Sequence, residues 1–147
     1  MRRILNALTA LWTLMTGSVA FGFYLTTDAT TVPMHWNLFG EENAYGPTWT
    51  ILLLAVIAAS VFVLLLWYQM HPELGRWPFR IVNLRETARL HADMVAWMSF
   101  LVATIFLYIV VAIAQLHPFH GWIVYLVLVA ITYILIYYTA RIRRLQR

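Results

Sequence analysis

The side chains able to do chemistry in this sequence are few. Five histidines (His35, His71, His91, His117 and His120) and six acidic residues stand against ten arginines, with no lysine and no cysteine. The absence of cysteine removes disulfides, thiolate nucleophiles, iron–sulfur ligation and c-type haem attachment. His117-Pro118-Phe119-His120, together with His35, Glu41 and Glu42, offers enough donors for a zinc-like site. A His-x-x-His broken by proline in a five-residue turn is a weak signature, however, and no metal is assigned. G-x-S-x-G, H-E-x-x-H and phosphate-loop patterns are missing, so neither an activated nucleophile nor a metal-bound water is indicated. The sequence reads as non-enzymatic, with no catalytic residue and no cofactor.

A second group of polar residues suits recognition. Val32, Met34, Trp36 and Leu38 alternate with Pro33, His35 and Asn37, a period of two that predicts an extended segment. Phe39-Gly40-Glu41-Glu42-Asn43 and Tyr45-Gly46-Pro47 supply turn residues. His35, Trp36, Asn37, Gly40, Glu41, Glu42 and Tyr45 are therefore the candidate ligand-binding residues. The other reading is a cap on helix ends, with His35 and Asn37 satisfying terminal carbonyls and Gly40 and Gly46 at positive φ.

These groups must be held by the rest of the chain, and its composition is that of a membrane protein. Of 147 residues, 63% are apolar and 11% charged, with a mean hydropathy of +0.75; soluble domains carry about a quarter charged residues. Disorder is excluded, and a soluble globular enzyme is argued against. Four uncharged stretches, about Ile4–Leu25, Thr48–Met70, Met94–Leu116 and Trp122–Ala140, are each long enough for a helix to cross hydrocarbon. Met1-Arg2-Arg3, an apolar run and Ser18-Val19-Ala20 resemble a signal peptide. The apolar stretch continues through Phe21–Leu25 to membrane length, so it is read as a span.

All ten arginines fall before the first span, in the 71–93 loop, or after the fourth; the 26–47 loop and the turn 117–121 have none. The positive-inside rule then places both termini and the 71–93 loop in the cytoplasm. The pI near 9.8 reflects that topology and attraction to anionic headgroups, not nucleic acid. The expected fold is all-α, a four-helix transmembrane bundle forming a single membrane domain, 1–147.

Along the first span Asn6, Thr9, Thr13, Thr16 and Ala20 recur at steps of three and four. They form a helix-packing face able to hydrogen-bond to a neighbouring helix. No ionisable group lies at depth, which argues against pumping and mid-membrane cofactor ligation. In the 71–93 loop, Gly75–Arg80 reads as a turn setting Trp77 and Phe79 among headgroups. Asn83 and Glu86 form a capping box opening the third helix near Leu84. Its exposed start carries Arg85, Glu86, Arg89, His91 and Asp93, either a solvated, lipid-facing end or a docking surface.

Val32-Pro33-Met34-His35-Trp36-Asn37-Leu38-Phe39-Gly40, followed by Tyr45-Gly46, resembles the extracytoplasmic signature of an uncharacterised bacterial membrane domain. That domain stands at the N-terminus of SdpI-type immunity proteins and in smaller stand-alone proteins. Pro33, His35, Trp36, Asn37, Gly40, Tyr45 and Gly46 match its pattern. Where it usually places an acidic residue and a glycine, this chain has Asn43 and Ala44. The likeness spans roughly residues 8–60, about a third of the chain. It implies a bacterial cytoplasmic (inner) membrane protein concerned with immunity to, or sensing of, a secreted membrane-active toxin, with loop 32–46 recognising an extracytoplasmic ligand or peptide. The alternative is an accessory subunit of a larger membrane complex, or a homo-oligomer.

Overall fold

The structure, a computed structural model, describes residues 1–37, 39–75, 77 and 80–146. It is mostly helical, with four long helices: α1 (Arg2–Thr26), α2 (Thr50–Met70), α3 (Leu84–Ile113) and α4 (Gly121–Arg144). Each is long and apolar enough to cross a membrane. Leu14, Val63, Leu64, Val129 and Ile136 are between 61% and 70% exposed. Apolar surface spread over several helices suits a hydrocarbon solvent better than water.

The all-helical expectation needs one addition. Between α1 and α2 a two-stranded antiparallel sheet forms from β1 (Thr31–Trp36) and β2 (Glu42–Pro47). The register pairs Thr31 with Pro47, Val32 with Gly46, Pro33 with Tyr45, His35 with Ala44 and Trp36 with Glu42. Two irregularities, between Pro33 and His35 and between His35 and Trp36, break the ladder. Such bulges re-aim side chains, and the expected alternation fails accordingly: neighbouring Val32 and Pro33 are both buried, while Met34 is exposed. Leu38, the last member of the alternating set, lies outside the described residues.

The central helix is α3, which packs against α1, α2 and α4. Near its C-terminal end Val110, Ile113 and Ala114 join Ala20, Ile51 and Val32, so β1 contributes to the helical core. Near its N-terminal end Leu90, Met94 and Val95 join Tyr138 and Ile142 of α4. Trp77 packs against this second cluster, half-buried, rather than standing free among headgroups; Phe79 lies outside the described residues.

Helix ends explain the element boundaries. α2 stops at His71, ahead of Pro72, which cannot continue the hydrogen-bond ladder. α3 begins at Leu84 under an Asn83 cap, whose Oδ1 accepts from the Glu86 N–H at 3.2 Å. The other half of the expected box is supplied differently. Gln146, not Glu86, takes the Asn83 N–H, at 3.1 Å, and its Nε2 donates to the Thr87 hydroxyl at 3.0 Å. At the far end the Gln115 N–H bonds to the Ala112 carbonyl (3.0 Å) and the Leu116 N–H to the Val111 carbonyl (3.1 Å). This is a Schellman closure, with Gln115 at φ 56°; it ends α3 short of Leu116.

The small-residue face of α1 is partly as expected. Thr9, Thr16 and Ala20 are buried. The threonines do not bond across the interface: Thr9, Thr13 and Thr16 each donate to the carbonyl four residues back, at 2.8 Å. Inter-helical bonding is left to Asn6, whose Nδ2 donates to Gln69 Oε1 at 2.8 Å. Gln69 in turn donates to the Ala92 carbonyl at 2.9 Å, tying α1, α2 and α3 together.

Candidate functional site

The hairpin is fixed to the helices before it offers anything to a ligand. The Thr48 N–H donates to the Thr30 carbonyl at 3.2 Å and its hydroxyl to the Ala29 carbonyl, closing the base where the chain leaves α1 and enters α2. Val32 is 2% exposed within the helical core. Trp36 stacks on Phe119 of the α3–α4 turn, with ring centroids 4.6 Å apart and planes at 19°. Phe119 also meets Tyr108, at 5.6 Å, and Tyr108 Oη accepts the His120 N–H at 2.5 Å.

Asn37 builds the turn. Its Oδ1 accepts from the N–H groups of Phe39 (2.9 Å) and Glu41 (3.0 Å), and its Nδ2 donates to Glu41 Oε2 at 2.7 Å. Asparagine organises turns in this way because its side chain mimics a backbone acceptor. Gly40 sits at φ 86°, and a Cβ there would overlap the Phe119 carbonyl oxygen. Gly46 is not at positive φ; its lack of a side chain matters because a Cβ would lie 2.8 Å from Met34 Cγ.

The capping role expected of His35 and Asn37 is therefore corrected. Among the described residues, neither bonds a helix-end carbonyl. Asn37 serves its own turn, and His35 Nδ1 lies 2.5 Å from Asn43 Oδ1 across the hairpin. Trp36, Asn37 and Gly40 are positioning residues, half-buried against the turn that carries Phe119.

What remains exposed is His35, Glu41, Glu42, Asn43 and Tyr45, with Phe39 at 88% exposure on the turn. The Tyr45 hydroxyl donates to Glu42 Oε2 at 2.8 Å. That bond, helped by the negative charge of Glu42, raises the phenol above its ordinary pKa. Asn43 was missed in the sequence; only the register, which lays β2 beside His35, brings it into the site.

His117 and His120 form a separate aromatic group, their rings 5.7 Å apart. His117 Nδ1 is engaged with the Pro118 carbonyl at 2.7 Å. Among the described residues no three His, Cys, Asp or Glu side chains gather to hold a metal ion.

At the opposite end of α3, Arg85 and Arg89 are exposed and Glu86 is half-buried. His91, expected on the exposed start of the helix, is instead 1% exposed. Its ring lies edge-on to Tyr68 (4.7 Å) and Trp77 (6.1 Å). Neither ring nitrogen has a hydrogen-bond partner among the described residues.

No protein-family model, curated protein or solved structure matches the chain.

Proposed function

We propose that this chain is a bacterial inner-membrane protein of the SdpI-like immunity or sensing type, non-enzymatic, whose hairpin recognises an extracytoplasmic peptide. The observation that carries this reading is the division of the hairpin between anchored and exposed residues. Val32, Trp36 and Gly40 are spent on anchoring it to the helices. His35, Asn43, Tyr45, Glu42 and Phe39 are left exposed on a platform tied by the Asn37 side chain to the Phe39 and Glu41 N–H groups. A pre-ordered surface loses little entropy on binding. Asp28, Glu41 and Glu42 give this end acidic character and it has no arginine, so the fitting peptide is neutral or cationic.

The arginine distribution supports a topology with both chain ends and the 71–93 loop in the cytoplasm. The test is survival. Bacteria producing the full chain are challenged with supernatants that contain secreted membrane-active peptides. Protection that is lost in His35→Ala and Tyr45→Ala variants still reaching the membrane supports the reading. Protection indifferent to both variants, or no protection, removes it.

One observation favours a second reading, that of an accessory subunit. α4 packs chiefly on α3 and leaves Leu126, Val129, Tyr133 and Ile136 uncovered. Purification from the native membrane in gentle detergent, with quantitative mass spectrometry, separates the two readings. Stoichiometric recovery of a larger complex favours the subunit; recovery as a monomer or homo-oligomer favours the lone receptor.

A further inference from the structure

At the end of the molecule opposite the hairpin, the start of α1 and the early turns of α3 line an open cleft of about 480 Å3, formed by Met1, Arg2, Arg3, Arg89 and Asp93. Three guanidiniums from two helices share this space with one carboxylate, a side-chain charge of three minus one, or +2. Arg2, Arg3 and Arg89 are exposed, and none forms an ion pair or side-chain hydrogen bond with any described residue. Asp93 lines the same cleft without pairing to them.

Like charges do not assemble unaided, and the packing beneath them shows what holds them. Asn6 lies one turn beyond Arg2 and Arg3, and Ala92 lies between Arg89 and Asp93. The Asn6–Gln69–Ala92 clasp therefore fixes the spacing of α1 and α3 at the floor of the cleft. The arginines are held together by neutral hydrogen bonds, and their charge is left unanswered. Planar guanidiniums with parallel N–H groups match a phosphate in charge and geometry. The cleft also sits where α3 passes from its charged turns into uncharged, mostly apolar sequence at Met94. Ile4 and Leu11, both exposed, continue along α1 from it and offer a surface to acyl chains.

We infer that this cleft binds the phosphate of an anionic phospholipid headgroup, held by Arg2, Arg3 and Arg89. The inference rests on the membrane reading proposed above. A soluble phosphate would satisfy the same chemistry, and the experiment separates the two sources.

The full chain is reconstituted in vesicles of equal phosphatidylcholine and phosphatidylglycerol, re-extracted in mild detergent, and its retained lipids counted by native mass spectrometry. The wild type is expected to retain phosphatidylglycerol over phosphatidylcholine. Arg3→Gln with Arg89→Gln lowers that preference about tenfold for each arginine removed, the effect of losing a charge-assisted hydrogen bond to the phosphate. Arg141→Gln with Arg143→Gln, the same charge change on α4, leaves it unchanged. Asp93→Asn raises it, which keeps the inference testable if the double arginine variant fails to fold.

Equal losses in the two arginine pairs would mean bulk charge only and overturn the site, as would an Asp93→Asn variant with no gain. Displacement of phosphatidylglycerol by inorganic phosphate would overturn the lipid assignment. Flotation of the wild type with pure phosphatidylcholine vesicles after an alkaline wash reports on the membrane reading separately. A chain that floats but shows no lipid preference loses the site alone; a chain that does not float loses both.

Discussion

Gly40 of the hairpin turn rests directly on the backbone of Phe119, so closely that a Cβ at position 40 would overlap the Phe119 carbonyl oxygen. The same glycine is at φ 86°, a conformation costing other residues about 1–2 kcal/mol before any clash is counted. Gly40→Ala is thus expected to lift the turn from its seat and separate Trp36 from Phe119. Limited proteolysis of the purified protein should show cleavage within 37–46 in the variant at protease levels that leave the wild type intact. Equal resistance would show that the turn can be seated without this contact.

The Asn6–Gln69 pair yields a second expectation, with a built-in control. Gln69→Ala strands Asn6 and the Ala92 carbonyl, whose partners it supplies at 2.8 and 2.9 Å. In membrane proteins such bonds average under about 1 kcal/mol and reach about 2, and a buried group left unpaired sits at the upper end. Gln69→Ala should therefore destabilise by about 1–2 kcal/mol in a denaturant titration in detergent. Asn6→Leu combined with Gln69→Leu should cost less than the sum of the two single changes. Strict additivity would mean that the carboxamides do not act as a pair.

The unequal legibility of the sequence has physical causes. The four helices are plain in the sequence because each contains a long uncharged run, and the Asn83 cap because its signature is local. The hairpin's extended segment is plain too, but not its facing, since the bulges on either side of His35 break the period of two. His91 stands in a charged stretch, which by itself points to an exposed helix start. Yet Thr87, Leu90, His91, Met94 and Val95 form one helical stripe, and Trp77 and Ile81 pack against it. The partnership of Asn83 with Gln146 joins residues far apart in the chain, and no local pattern marks it.

Gln115 was equally invisible, because a glutamine does not announce a left-handed residue. With the α3 terminus closed by the Gln115 and Leu116 N–H groups and Gln115 at φ 56°, a residue without a Cβ is better suited. Gln115→Gly is expected to stabilise by about 1 kcal/mol. A raised midpoint in thermal unfolding in detergent would show it; an unchanged or lowered one would mean that unfolded-state entropy or a lost contact offsets the relief.

Among the exposed hairpin residues, the Tyr45 phenol is kept protonated to higher pH by the Glu42 carboxylate. The neutral phenol donates a hydrogen bond that the phenolate cannot, and the phenolate would also face a like charge. The bond is therefore present at neutral pH and is lost as pH rises through the raised pKa. Glu42→Gln should return the titration toward the ordinary value of 10.0. NMR titration of ring-labelled tyrosine, assigned with Tyr45→Phe, follows it; an unmoved curve would show that the pair does not persist in solution.

The proposed topology can be tested with unusual cleanness because the chain contains no cysteine. Single substitutions at exposed positions, Ala44→Cys in β2 and Arg85→Cys at the start of α3, leave no background thiol. With every arginine clear of the 26–47 loop, the positive-inside rule orients the hairpin outward. A membrane-impermeant maleimide added to intact cells whose outer membrane has been permeabilised should label Ala44→Cys and spare Arg85→Cys. Opening the inner membrane should then expose Arg85→Cys as well. Labelling in the reverse order would invert the protein, place the hairpin in the cytoplasm, and end the proposal that it meets an extracytoplasmic peptide.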